Sequence, residues 1–237
     1  MKQVIAMHGW GGDSNTWNVW AEYFCKNGWT WQSVERGYGN SPPWSPIWAR
    51  LPSNGNCSKR VVIAHSLGLH LIDSQILIKA TDVVLLSSFS SFIPNDNKNR
   101  SLRTALKGMQ KHLGTSEEGS MLKHFLLKAV HPESTKAMPS SGPMTNGLSI
   151  EGRQRLIKDL KLLSETNKLP KGLSAHSRVL VIQGQEDLII VPSTRRTLID
   201  DLKKHLSHHP TNWSIPGTGH LLLAPELIKD VHSWLVN

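Results

Sequence analysis

The sequence predicts an α/β protein with a mostly parallel sheet of about six strands flanked by helices. Short, nearly continuous apolar runs recur along the chain, which is typical of strands covered on both faces. Helical or turn-rich stretches separate these runs, as parallel neighbours require crossover connections. The runs span residues 4–7, 30–34, 61–64, 83–86, 179–182 and, more weakly, 212–215.

Helical patterns fill most of the gaps between the strands and supply the crossovers. They span residues 16–26, 67–79, 193–205 and 225–235. Residues 37–60 differ, because four prolines and three glycines break any long helix there. We expect that segment to be mostly loop, with one or two helical turns near residues 46–50.

The interval between residues 86 and 179 does not show this alternation of strands and helices. It offers helical patterns at residues 102–113, 121–130 and 156–163 and no convincing strand. We interpret residues 90–176 as a helical cap that is inserted before the fifth strand, which leads to the candidate acid residue. The core of the fold then comprises residues 1–89 and 177–237. Residues 138–144 indicate a loop or hinge. The alternative is an ordinary helical layer on one face of the sheet.

Composition excludes several classes of protein. A chain of 237 residues buries about 70–75% of the surface of its unfolded form and folds without a disulfide or metal. Cys25 and Cys57 share no metal-ligand spacing and indicate free thiols in a reducing compartment. No apolar run approaches the roughly 18 residues of a membrane span, and the first residues do not resemble a signal peptide. We expect a cytoplasmic monomer without metal or organic cofactor.

The strand at residues 61–64 leads into a pattern typical of a serine nucleophile. Ala64-His65-Ser66-Leu67-Gly68 fits Gly-x-Ser-x-Gly, with Ala64 in place of the first glycine. A serine on a tight strand-to-helix turn has a strained backbone, and small neighbours make room for the bend. The alternative is an N-capping serine. We expect Ser66 to be the nucleophile and the amide of Leu67 to donate to a developing oxyanion.

A serine nucleophile needs a base, and twelve histidines compete for that role. His220 follows the last strand, at the edge where sheets of this type bind ligands. Asp187 follows the fifth strand and fits the chain order of nucleophile, acid and histidine. Its neighbour Glu186 is the alternative acid. The sequence therefore predicts a triad of Ser66, Asp187 and His220.

A glycine-rich turn follows the first strand, at His8-Gly9-Trp10-Gly11-Gly12. Glycines let the backbone approach a reacting carbon closely, so the amide of Trp10 is the expected second oxyanion donor. Such a turn also suggests phosphate binding. However, no Lys-Ser/Thr follows it and Gly-x-Gly-x-x-Gly is incomplete, which argues against both kinds of nucleotide site.

Four separated motifs follow one another along the chain: His8–Gly11, Arg36–Ser41, Ala64–Gly68, and Gly184–Asp187 followed by Gly219-His220. In this order they resemble the motifs of the α/β-hydrolase superfamily. The His-Gly-Trp-Gly opening, Ser87-Ser88 before Phe89 and Phe92, Asn146-Gly147-Leu148 and the placement of the helical cap are most similar to the pimeloyl-[acyl-carrier protein] methyl ester esterases of biotin synthesis. That resemblance implies a triad that cuts a methyl ester at the far end of an acyl chain and a basic cap that holds the acidic carrier protein.

Basic residues are concentrated in the interval interpreted as a cap. The chain carries a formal charge of +9, and such an excess attracts nucleic acid, anionic lipid or an acidic protein. Arg100, Arg103 and Lys107 have the spacing of one helical face, within a run that includes Lys98 and Lys111. This face would steer an acidic carrier protein, whereas the alternative is a solvated helix face. No nucleic-acid motif accompanies the charge.

The sequence thus predicts a serine carboxylesterase that cleaves the methyl ester of a carrier-bound dicarboxylyl chain. Two alternatives stay open. One is a general short-chain carboxylesterase or thioesterase. The other is a non-catalytic hydrolase fold that binds a ligand or partner, and the presence of nucleophile, acid and base argues against it.

Overall fold

The computed structural model describes residues 1–49, 59–93, 100–224 and 226–237. Its centre is a six-stranded sheet in the order β2-β1-β3-β4-β5-β6, in which every neighbouring pair is parallel. The predicted fold class is therefore confirmed. The strands are β1 (Lys2–Met7), β2 (Thr30–Val34), β3 (Lys59–His65), β4 (Asp82–Leu86), β5 (Arg178–Gly184) and β6 (Thr211–Ile215).

Helices in the described parts of the chain connect or cover these strands. Because the strands are parallel, each segment that joins two strands must return from the carboxyl end of the sheet to its amino end before the next strand can pair. Among the described helices, none is long and apolar enough to cross a membrane. The helices are α1 (Asn18–Lys26), α2 (Gly68–Leu71), α3 (Ser74–Leu77), α4 (Arg100–His112), α5 (Glu118–Val130), α6 (Pro143–Asn146), α7 (Ile150–Glu165), α8 (Pro192–His205) and α9 (Leu227–Val236).

Both faces of the sheet are buried, which explains why its strands have continuous apolar sequences. Along β3, Val62 and Ala64 belong to a cluster with α3 and α8 on one face, while Val61 and Ile63 belong to a cluster with α9 on the other. Because every neighbouring pair of strands is parallel, the carboxyl ends of all six strands lie at one edge of the sheet.

The crossover after β3 was predicted as one helix over residues 67–79, and this prediction is wrong. The structure has two helices of four residues, α2 and α3, separated by extended backbone at Ile72 and Asp73. The Asp73 carboxylate accepts a hydrogen bond from the Gln75 amide and thereby begins a new helix. An N-capping aspartate inside an apolar pattern overrides the helical periodicity.

The segment after β2 is a loop as far as the structure describes it, and it is held by side-chain amides. Gln32 pairs both its nitrogen and its oxygen with the main chain of Ile47, and Gln3 does the same with Ala49. These pairs satisfy the main-chain N–H and C=O groups of Ile47 and Ala49. The helical turn expected near residues 46–50 is absent from the described part of that span, because residues 46–49 are irregular. Arg50, Cys57 and Lys98 lie outside the described residues.

Helices α4–α7, which we call the cap helices, occupy the interval between β4 and β5. Their buried side chains, such as Leu106, Leu122 and Leu156, share one apolar cluster with Trp10 and Leu67 from the strand edge. Helix α7 begins earlier than its predicted start at residue 156, because the Ser149 hydroxyl caps it by accepting from the Gly152 amide. The domain boundaries at residues 89/90 and 176/177 stay a prediction.

A buried carboxylate ties α7 to the loop after β2. Asp159 is 1% exposed, and the Arg36 guanidinium donates to both of its oxygens at 2.6 Å. The hydroxyl of the fully buried Tyr38 donates to the same carboxylate at 2.7 Å. Bidentate, charge-assisted bonds of this kind are strong and specify orientation. They fix the loop that begins at Arg36 against a cap helix.

Replacing Asp159 with alanine should destabilise the protein severely. The change leaves the Arg36 charge and the Tyr38 hydroxyl without their partner, and breaking such a buried pair lowers the free energy of unfolding by about 3–5 kcal/mol. Urea denaturation at constant pH measures the loss. Glu22→Ala, which breaks the exposed Glu22–Lys26 pair, should hardly change the midpoint. Equal midpoints for both variants would contradict this account.

Candidate active site

Ser66 lies on a sharp turn at the end of β3. Its φ of +54° is in the left-handed region, which costs a non-glycine residue backbone strain. Two hydrogen bonds hold the turn: the Ser66 amide donates to the Leu86 carbonyl at 2.8 Å, and the Ser88 hydroxyl donates to the Ser66 carbonyl at 2.8 Å. The strain at Ser66 is therefore imposed from β4, the neighbouring strand.

The turn packs directly against the end of β1. A Cβ atom at Gly68 would lie 2.5 Å from the Met7 carbonyl oxygen, so only glycine fits there. On the other side, a Cβ atom at Gly9 would lie 3.0 Å from the Cβ of Ser66. These contacts explain the glycines of both motifs and place the glycine-rich turn beside Ser66.

Asp187 and His220 form a buried pair at the same edge. The His220 Nδ1 and the Asp187 Oδ2 are 2.9 Å apart, and the two residues are 2% and 7% exposed. The other carboxylate oxygen of Asp187 accepts from the amides of Ile189 and Ile190. Glu186 is exposed, and its carbonyl oxygen lies 3.3 Å from His131 Nδ1. The geometry thus favours Asp187 over Glu186 as the partner of His220.

The environment of Asp187 keeps its carboxylate ionised. Burial by itself would raise the pKa of Asp187, but the charge and hydrogen bond of His220 outweigh it together with the two amides, so the pKa lies below its ordinary value. An ionised Asp187 accepts a hydrogen bond that the Nδ1–H group of His220 donates, so Nε2 of a neutral ring carries no hydrogen and can accept a proton from another group.

The loops that carry the acid and the base are packed together. The Glu186 amide donates to the Thr218 carbonyl at 2.9 Å, and the Leu221 amide donates to the Ala129 carbonyl at the end of α5 at 3.3 Å. Gly219 abuts this helix end so closely that a Cβ atom there would lie 1.6 Å from the His131 carbonyl oxygen. A cap helix therefore helps to position the loop of His220.

His65 contacts His220 from the side of β3. Its Nε2 lies 3.0 Å from the His220 carbonyl oxygen, and the two ring centroids are 4.9 Å apart. Burial, followed by repulsion from His220, lowers the pKa of His65 to about 3. His65 is therefore neutral near neutral pH. The sequence places it next to the nucleophile but gives no sign of its contact with a residue 155 positions later.

The amides of Trp10 and Leu67 flank the Ser66 turn. Within the described residues, neither amide donates to a backbone or side-chain acceptor. The Trp10 side chain is fixed, because its indole N–H donates to the Leu156 carbonyl at 2.9 Å and its ring contacts the edge of Phe125. Leu67 is completely buried. Amides without an internal acceptor can stabilise negative charge that develops nearby.

A cavity of about 530 Å³ extends from Ser66 into the cap helices, within the size range of small-molecule sites. Its wall is mostly apolar. Besides Ser66, the polar lining residues are the exposed His112, Glu117, Ser120, His124 and Lys128, on or next to α4 and α5. The cavity consequently opens to solvent between these two helices. The apolar lining includes Trp10, Phe92, Leu102, Leu106, Met109, Met121, Phe125, Leu160, Leu163, Leu188 and Ile189.

Arg100, Arg103 and Lys107 lie on α4 with exposed side chains. None of the three lines the cavity, whose α4 wall is made by Leu102, Leu106 and Met109. At about 100° per residue, the basic residues face largely away from that wall. The structure therefore separates this basic face from the residues around Ser66.

Asp159 is not among the residues predicted for the site, although the sequence carries a signal for it. Asp159 falls on the same helical stripe as Leu156, Leu160 and Leu163, because residues three and four apart share a face. A carboxylate in a buried stripe needs a cationic partner. Arg36, already part of a recognised motif, was the available candidate.

The depressed pKa of His65 predicts a specific loss of stability in acid. Between the ordinary value of 6.5 and about 3, the unfolded chain binds a proton at this position that the folded chain does not, so stability falls as the pH drops through this window. The slope from one such group is about 1.4 kcal/mol per pH unit. His65→Gln, which does not titrate, should lose stability less steeply in urea denaturation series. His208→Gln, which replaces an exposed histidine, is the control and should retain the wild-type slope of unfolding free energy against pH. Identical slopes for the wild type, His65→Gln and His208→Gln would refute the expectation.

No protein-family model and no curated protein matches this sequence. Solved structures do match. An esterase from Exiguobacterium antarcticum superimposes with a TM-score of 0.70 at 13% identity, covering 100% of this chain and 92% of the esterase. A thermophilic esterase from Thermogutta terrifontis gives 0.64 at 16% identity, covering 100% and 90%. BpoC from Mycobacterium tuberculosis, described as a non-heme bromoperoxidase, gives 0.64 at 17%, covering 100% and 91%. The all-parallel sheet, its flanking helices and these similarities show that the chain adopts the α/β-hydrolase fold.

Proposed function

We propose that this protein is a serine carboxylesterase. The observation that carries the proposal is the buried Asp187–His220 pair, which lies at the carboxyl edge of the sheet beside the strained turn of Ser66. Nucleophile, base and acid on the ends of three strands form the arrangement that activates a serine hydroxyl. The apolar cavity that starts at Ser66 can accommodate an acyl chain.

The proposed reaction has two halves. In the first, Ser66 Oγ forms a bond to the ester carbonyl carbon while its proton moves to His220 Nε2, and the carbonyl oxygen becomes an oxyanion. The carbon–alkoxy bond then breaks, His220 returns the proton to the departing alcohol, and an acyl-serine remains. In the second half, water gives a proton to His220 and attacks the acyl carbon. His220 returns that proton to Ser66 Oγ as the carboxylic acid leaves.

The oxyanion would be held by the amides of Trp10 and Leu67. Fixed donors of this kind stabilise the transition state without reorganisation, and losing one typically lowers the rate about 10²–10³-fold. Trp10 is suited to this role because its side chain is anchored to α7, so its amide is rigid. Neighbours with the same fold include proteins that are named esterases, which agrees with the proposal.

For the substrate, we propose the methyl ester of a dicarboxylyl chain on acyl-carrier protein, as in the pimeloyl ester of biotin synthesis in the cytoplasm. The similarity of the motifs supports this choice. So does the cavity, because it opens between α4 and α5 and would let a long chain leave toward a carrier. The basic face of α4 supplies charge of the sign that an acidic carrier requires. A general short-chain carboxylesterase or thioesterase is the alternative.

Ser66→Ala and Asp187→Asn test the esterase directly. With a chromogenic ester, Ser66→Ala should lose about 10⁴–10⁶ in rate and Asp187→Asn about 10⁴, because the first removes the nucleophile and the second removes the carboxylate that orients His220. Glu186→Gln is the matched control, since it makes the same change one residue away on an exposed side chain. A tenth of the activity retained by Ser66→Ala would refute the proposal, and equal losses at positions 186 and 187 would reassign the acid.

The cavity predicts that a side chain at Gly108 selects against long acyl chains. Gly108 lines the cavity, and a Cβ atom there would have no neighbour within 4 Å, so leucine can enter without strain. Gly108→Leu should lower kcat/KM for an octanoyl ester at least about tenfold, as lost pocket contacts do, and leave an acetyl ester nearly unchanged.

Gly119→Leu is the matched control for this test. Gly119 also lies on a cap helix with open space around its Cβ position, but it does not line the cavity. Both substitutions improve helix propensity by a similar amount. If both variants respond alike to chain length, the cavity is not the acyl site.

The carrier proposal predicts a salt-sensitive role for the basic face of α4. Arg100→Glu, Arg103→Glu and Lys107→Glu together should lower kcat/KM on a carrier-borne ester and not on a free small ester. The loss should fade with salt, because the Debye length falls from about 10 Å at about 0.1 M to about 3 Å at about 1 M. Charge reversal of the exposed Arg196, Lys203 and Lys204 on α8 is the matched control.

Two further results would decide the substrate. If the α4 and α8 variants act alike on the carrier ester, the basic face of α4 is only a solvated surface and the carrier assignment loses its support. Rescue of a biotin-requiring host that lacks its own methyl ester esterase, with Ser66→Ala as the inactive control, tests the same assignment in a cell.

A further inference from the structure

We infer that His65 is a positioning residue, whose ring N–H holds the main chain of His220 against the turn that carries Ser66. The inference rests on the proposed role of His220 as the base. His65 and Ser66 are consecutive, so any bond from His65 to the loop of His220 joins nucleophile and base through a single side chain. Neither the acid nor the oxyanion donors make this connection.

The hydrogen bond fixes the tautomer of His65. A carbonyl oxygen can only accept, so the nitrogen that lies 3.0 Å from the His220 carbonyl must carry the hydrogen. Nε2 is therefore the protonated nitrogen of a neutral ring. The bare Nδ1 faces the glycine-rich turn, where a Cβ atom at Gly9 would lie 3.0 Å from it. Because Nδ1 carries no hydrogen, the His65 ring needs no hydrogen-bond acceptor on the side of the glycine-rich turn.

A neutral ring is also what the site requires. The ring centroids of His65 and His220 are 4.9 Å apart, so a charged His65 would oppose the imidazolium that forms on His220 during the reaction. The pKa of about 3 excludes that charge near neutral pH. His65 can consequently lie against the base without competing for its proton.

His220 is thus constrained from two independent elements. Asp187, on the loop after β5, holds the imidazole through Nδ1, while His65, at the end of β3, holds the main chain of the same residue. Among the described residues, His65 is the donor that satisfies the His220 carbonyl. Removing it leaves a buried acceptor unpaired and frees the loop to move relative to Ser66.

His70 provides a matched control. Its Nε2 donates to the Phe89 carbonyl at 2.8 Å, and burial lowers its pKa, as with His65. It lies on α2, only four residues beyond Ser66, but its acceptor is not in the loop of His220. His70→Leu therefore removes the same kind of bond without touching the base.

The test compares His65→Leu, His65→Gln and His70→Leu by ester kinetics and by proton NMR of the resting protein. The low-field resonance of the His220 Nδ1 proton reports its bond to Asp187. His65→Leu should lower kcat about 10–100-fold, as small misplacements of catalytic groups do, with KM nearly unchanged. The low-field resonance should broaden as well. His65→Gln, which returns a donor at a similar reach, should restore both, and His70→Leu should change neither.

The outcomes separate this inference from the proposed function. The resonance needs no substrate, so it tests the positioning role even if no ester is turned over. A sharp wild-type resonance with unchanged kcat in His65→Leu would overturn the inference, as would a failure of His65→Gln to restore either signal. If His65→Leu does not fold, His65→Asn replaces it, because its amide is too short to reach the carbonyl.

Discussion

The buried carboxylate of Asp159 is the constraint on which the arrangement of the cap helices depends. A charge that is almost completely removed from water is tolerable only where donors surround it. Arg36 and Tyr38 provide those donors, so α7 can lie in only one position relative to the loop after β2. The same helix presents the Leu156 carbonyl to the Trp10 indole. The Asp159 contact therefore helps to position the part of the cavity wall that α7 supplies, Leu160 and Leu163, and, through Trp10, the turn beside Ser66.

The candidate site is held from several elements and not by one loop. Ser66 is held by Leu86 of β4 and by Ser88, and Asp187 is held by amides on its own loop. His220 is contacted by His65 of β3 and by Asp187, while its neighbours Gly219 and Leu221 contact the end of α5. Each group is thereby fixed by a neighbour that has no part in the proposed chemistry. Preorganisation of this kind is what allows fixed dipoles to act on a developing charge.

The sequence was sufficient where function follows from position along a strand. Parallel strands end at one edge, so Ser66, Asp187 and His220 could be expected to meet once the strands were recognised. It was insufficient where contacts join distant positions. The bonds of Asp159 to Arg36 and of His65 to His220 span 123 and 155 positions. The apolar stripe of α7 indicates that Asp159 is buried, but no local pattern encodes the pairing of either residue. The break between α2 and α3 was missed for the opposite reason, since a local cap at Asp73 interrupts an otherwise regular pattern.

The order of the strands has a consequence for how the site is assembled on the ribosome. Parallel pairing joins segments that are far apart in the chain, and such contacts form slowly because loop closure must come first. Ser66 and its strained turn rely on hydrogen bonds from Leu86 and Ser88, which emerge early, but His220 follows β6, the last of the described strands along the chain. The cap helices are synthesised between them. A nascent chain therefore displays Ser66 and the apolar cap surfaces before His220 is made, and during that interval those surfaces are exposed to aggregation.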